Sequence, residues 1–130
     1  MIKVNLTKDA DYPVSATALK KRLREFLTKE GIVSDSLVSV SLVGKREMQK
    51  LSQKYLRDRE EHAVFAFPES EVRGRFIYPD NAIRLGEIIV CVPQAVNEAA
   101  DKGLLTENYI GELIEHAALH LLGKNHDFVS

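Results

Sequence analysis

The spacing of apolar residues changes period several times along this chain, and those changes constrain the fold more than any single residue does. Ile2, Val4 and Leu6 alternate with polar residues, the repeat of a strand. Ala16, Leu19, Leu23, Phe26 and Leu27 then recur at helical spacing, with Ser15 or Thr17 placed to cap that helix and Glu30–Gly31 to end it. Alternation returns from Leu37 to Val43, with Val38, Val40 and Leu42 on one side and Ser39 and Ser41 on the other. Past Gly44, a helix over about 45–56 would bury Met48, Leu51 and Tyr55. A third strand is expected over 63–67, stopped by Pro68. Residues 69–84 hold the turn formers Gly74, Pro79, Asp80 and Asn81, and at most a short edge element. Leu85 to Val92 is a continuous apolar strand interrupted by one carboxylate, Glu87. Pro93 ends it and starts a helix over about 94–102, closed by Gly103. Thr106 is the expected N-cap of a last helix reaching Leu122.

The order is therefore β-α-β-α-β-(edge)-β-α-α, with a hairpin connection expected between the later strands. It predicts an α+β domain: a mixed sheet of about four strands with helices packed against it. A chain of 130 residues without linker, repeat or low-complexity segment is expected to form one domain over 1–130. No apolar run approaches bilayer-spanning length, and residues 1–11 lack the basic-then-apolar pattern of a signal peptide. The single cysteine, Cys91, allows no disulfide within the chain and suits a reducing compartment, so a cytoplasmic location is expected. Packing decides the expectation for Cys91 itself: a small buried apolar residue.

A net charge of −1 does not advertise a nucleic-acid binder. The basic residues are nevertheless clustered. Lys20, Lys21, Arg22 and Arg24 form one group, and Lys45, Arg46, Lys50, Lys54, Arg57 and Arg59 another. These suit solvated helix faces, and they also suit a locally basic groove, because phosphate contacts depend on the local field.

Three of the four histidines fall near the end of the chain. His116 and His120 are four residues apart in the last helix and share a face. They flank the apolar stripe beside Leu113, and Ala117 and Ala118 leave room around them. Gly123 allows the left-handed turn needed to bring His126 back towards the pair. Three neutral imidazoles with a fourth position left to water are a catalytic zinc set. Zinc suits imidazole best here, with nickel and copper as the alternatives. The metalloprotease helix H-E-x-x-H places a glutamate directly after its first histidine, where this chain has Ala117. Glu115 precedes His116 and projects about 100° away, so a protease would lack its base. His62 is expected to be an exposed loop histidine.

The run His116-Ala117-Ala118-Leu119-His120-Leu121-Leu122-Gly123-Lys124-Asn125-His126 resembles the signature of the YbeY family, bacterial endoribonucleases and rRNA maturation factors, written H-G-x-L-H-L-x-G-[YH]-D-H. Upstream, Ser41-Leu42-Val43 with Glu47-Met48 and Leu51 to Tyr55 is similar to that family's strand and helix. Val64-Phe65-Ala66-Phe67-Pro68 is similar to its V-L-S-F-P segment, and Leu85 to Cys91 to its L-G-D-I-x-I-C strand, with Glu87 on the aspartate. The resemblance implies a zinc-dependent endoribonuclease that hydrolyses single-stranded RNA in ribosomal RNA maturation, with the small ribosomal subunit as a further partner. It implies His116, His120 and His126 as metal ligands. The family's arginine after the second-helix tyrosine is Leu56 here, so Arg57 and Arg59 become the candidates to hold a phosphate and Glu87 the candidate to orient a ligand. A zinc-containing ribosome-assembly or RNA-binding factor without catalysis is the alternative.

Overall fold

The computed structural model describes residues 1–57, 61–68 and 82–124. Arg59, His126 and most of the expected edge element, residues 69–81, lie outside them. In chain order the elements are β1 (Ile2–Lys8), α1 (Ala16–Lys29), β2 (Ser36–Val43), α2 (Lys45–Leu51), β3 (Val64–Pro68), β4 (Ile83–Cys91), α3 (Val92–Lys102) and α4 (Thr106–Leu121). The strands form one sheet in the order β1-β2-β4-β3. β1, β2 and β4 run parallel, and β3 pairs antiparallel with β4. This is the mixed α+β architecture the periodicities predict, including the antiparallel pairing of the later strands.

The alternation in β2 sorts the two faces. Val38, Val40 and Leu42 lie level with Val4 and Leu6 of β1 and with Ile88 and Val90 of β4. Together with Leu19, Leu23 and Leu27 of α1 and Ile110, Ile114 and Ala117 of α4 they build the main core. On the other face Val43, Phe65, Phe67, Ile89 and Cys91 make a smaller cluster under Met48 and Leu51 of α2. Its remaining positions on β2, Ser39 and Ser41, are only half-buried.

Several boundaries differ from those expected. Ser15, not Thr17, caps α1, its Oγ accepting from the Ala18 N–H at 3.1 Å. The helix over 45–56 is α-helical only to Leu51 and continues as a π-helical turn, Ser52–Leu56. Tyr55 is consequently not a core residue: it stays 38 % exposed and meets Phe67 with its ring. β4 starts at Ile83, ahead of the apolar run, because its backbone goes on pairing with β2 across a bulge at Leu85 and donates from Ile83 to the Asp35 carbonyl at 2.8 Å. α3 opens at Val92, with Pro93 in its first turn, where no intrahelical N–H bond is lost. Thr106 does not cap α4. Leu105 holds that place without a side-chain bond, and its carbonyl accepts from Tyr109 at 2.9 Å to close the first turn. Glu107 in that turn instead accepts from the Ser15 N–H at 2.6 Å and offers negative charge to the helix start.

Candidate active site

The C-terminal half of α4 carries the histidine pair. Ala117 and Ala118 are buried against the core, which fixes the helix's rotation about its axis. His120 is thereby left half-buried and His116 exposed. The neighbouring carboxylate is committed elsewhere. Glu115 accepts from Arg22 of α1 at 2.7 Å and 3.2 Å, a bidentate pair that holds the guanidinium pKa above its ordinary value. Arg22 also donates to the Asn108 carbonyl at 3.2 Å and lies across Gly111, where a Cβ would meet its Cζ at 2.7 Å. His116 and His120 lie roughly 100° and 140° further round the helix than Glu115, on the flank turned from α1. Glu115 is thus held by Arg22, while Glu112, one turn before His116 on the same face, is exposed.

Just past the end of α4, Gly123 takes φ +72, the left-handed conformation expected at that position. Its N–H donates to the His120 carbonyl at 3.0 Å, and the Lys124 N–H to the Leu119 carbonyl at 2.9 Å. The Lys124 ammonium then bonds Glu30 at the end of α1. Among the described residues, no three His, Cys, Asp or Glu side chains gather as a metal site.

The other sequence candidates sit elsewhere. Glu87 projects to the sheet face away from α4. There it lines a cleft of about 230 Å³ with Ser41, Glu47, Leu51, Tyr55 and Phe67. Arg57 follows the π turn at φ +55, exposed. Leu56, at the place of the family's arginine, is 47 % exposed. Near the far end of the sheet, His62 is half-buried rather than exposed, because its ring packs 5.0 Å from that of Phe65. Cys91 is buried as expected, and burial pushes its thiol pKa up, away from reactivity.

The cleft was not visible in the sequence. Its lining comes from α2, β2, β3 and β4, and the helical period assigns Leu51 and Tyr55 to the core. The Arg22–Glu115 clamp was equally hidden, since it joins residues far apart in the chain.

The family described as Endoribonuclease YbeY matches residues 4–128 of this sequence. The chain belongs to that family. A YbeY relative from Macrococcus caseolyticus is 35 % identical over 98 residues, covering 75 % of this chain and 64 % of that protein. One from Dehalococcoides mccartyi is 31 % identical over 121 residues, covering 87 % and 76 %. Both carry the name Endoribonuclease YbeY. The solution structure of TM1509 from Thermotoga maritima matches 98 % of this chain and 77 % of its own, with TM-score 0.62 and 25 % identity. The residues of α4 suit the metal implied by YbeY membership. Two imidazoles share one flank, Arg22 holds the adjacent Glu115 while Glu112 stands exposed one turn before His116, and the helix end has the left-handed turn.

Proposed function

We propose that this chain is a metal-dependent endoribonuclease that hydrolyses phosphodiesters of single-stranded RNA during ribosomal RNA maturation. The observation that carries the reading is the pairing of His116 and His120 on the flank of α4 turned from Glu115, in a chain of the YbeY family. His116, His120 and His126 hold one zinc ion in this reading. When bound, zinc supplies a water of lowered pKa and a positive charge for a phosphate oxygen.

The chain's own residues do the rest. Arg22 keeps Glu115 from competing for the ion. Arg57 binds a phosphate of the substrate with its guanidinium fork. The π turn supports Arg57 over Arg59 for this task. A π turn takes up about one residue more than an α turn, so the residue after Leu56 arrives where a straight α-helix would carry Leu56.

An exposed Leu56 also favours a second reading, a zinc-containing assembly factor that binds ribosomal RNA without cutting it. Incubating zinc-loaded wild type and His116→Ala with single-stranded RNAs separates the two. Cleavage by wild type that falls to background in His116→Ala supports the nuclease. Intact RNA across several substrates, with zinc loading verified, contradicts it. Arg57→Ala should lower turnover at least about tenfold if Arg57 holds a phosphate.

A further inference from the structure

Basic and acidic side chains take different positions around α2. Arg46, Lys50, Lys54 and Arg57 are exposed on the outside of α2 and its π turn. Beside them, a cleft is lined by two carboxylates, the exposed Glu47 and the half-buried Glu87, with the hydroxyl of Ser41. The rest of its lining is apolar, with Val43, Leu51 and Ile89 beside the rings of Tyr55 and Phe67. Tyr55 and Phe67 stand 4.9 Å apart, centroid to centroid, tilted by 52°. The Lys54 ammonium lies 5.2 Å over the Tyr55 ring.

We propose that this cleft reads a base of single-stranded RNA, taking an unpaired base with an exocyclic amino group in preference to uracil. The proposal rests on the RNA-cleaving reading above and adds where the strand lies and which bases it favours. The carboxylates lining the cleft repel phosphate and the basic side chains beside it attract phosphate, so a nucleotide is oriented base inward. The exposed Tyr55 ring offers a stacking surface, and Lys54 above it is placed to meet the phosphate of a stacked nucleotide. Carboxylates are acceptors only. They complement the amino group of cytosine or adenine and oppose the O4 oxygen of uracil. Glu87 already has a neighbour within the fold, and the several lone pairs of a carboxylate leave acceptor capacity for a second partner.

The cleft also has a route to the histidines. Phe67 turns its ring into the cleft, while its carbonyl oxygen and Pro68 crowd Gly86 on the opposite face. A Cβ on Gly86 would lie 2.9 Å from Cδ2 of Leu121, the residue after His120. The cleft and the last turn of α4 therefore meet at one end of the β3–β4 pair.

The test is an NMR titration of the full chain with cytidine and uridine monophosphate, which differ at position 4 (amino against carbonyl) and at N3 (acceptor against N–H donor) and contain no phosphodiester to cut. Cytidine monophosphate should bind more tightly, on the order of tenfold, with the largest shifts at Tyr55 and Glu87. Glu87→Gln and Glu47→Gln should each reduce that preference. Tyr55→Leu should weaken both ligands on the order of tenfold and leave their ratio unchanged. Equal affinity in wild type overturns the proposal. So does an unaltered preference in both Gln variants with unchanged melting. If either result accompanies RNA cleavage by the zinc-loaded protein, the base site is wrong and the nuclease stands. Absence of both nucleotide binding and cleavage removes the two together.

Discussion

The two faces of the sheet are built to different standards of closure. On one, α1 and α4 seal a continuous apolar core and are clamped to each other by Arg22 and Glu115. On the other, α2 covers a smaller cluster and leaves Ser41, Glu87 and Tyr55 open to a cleft. The difference assigns tasks. In the proposed reading the histidines, as metal ligands, stand on the helix that is clamped to α1. The groups suited to a flexible strand of RNA stand where packing is loosest and a π turn has already relaxed the helix.

The comparison breaks first in the cores. Ile114→Ala on the sealed face should cost about 2–5 kcal/mol in urea unfolding, because the surrounding core cannot collapse around the cavity. Met48→Ala under α2 should cost less, about 2 kcal/mol, since its cluster borders an open cleft and can relax. Equal costs would mean that the faces are equally rigid. Next in size is Gly86→Ala. Its φ of +139 is unfavourable to alanine and the new Cβ would collide with the Phe67 carbonyl oxygen, so about 1–3 kcal/mol should be lost. Full stability in that variant would contradict the close approach of α4 to β3 and β4.

Breaking the clamp with Arg22→Ala should cost about 1 kcal/mol. The pair is bidentate, but its side chains are 36 % and 21 % exposed and solvent screens it. The smallest effect is alkaline. Burial, then hydrogen bonds to Glu98 and Asp9, push the Tyr109 and Tyr12 pKa values up to about 12. A folded-state pKa raised this way contributes stability that is complete below about pH 10 and lost as pH rises towards 12. Tyr109→Phe should therefore flatten the fall of melting temperature across that window. An unchanged slope would place Tyr109 outside the sealed face.

The sequence pattern resolved whatever one element decides alone. Val38, Val40 and Leu42 announced both the strand and the face it buries, and Gly123 announced the turn after the histidines. What it could not resolve was tertiary. The positions Met48, Leu51 and Tyr55 fit an α-helix or an α-helix relaxed into a π turn, and only contact with Phe67 distinguishes them. Glu87 looked like a neighbour of the histidines because its motif accompanies theirs. Strand alternation instead turns it to the α2 face. Arg22 belonged to a basic cluster until α4 supplied its carboxylate.

Metal content tests the division of labour most directly. Wild type and the His116→Ala/His120→Ala double variant are loaded with zinc, dialysed and assayed by atomic emission, with melting curves to confirm that both are folded. The account predicts about one zinc per chain in wild type and none retained by the folded double variant. A folded double variant that keeps its zinc would contradict it, and the metal would then belong somewhere other than α4.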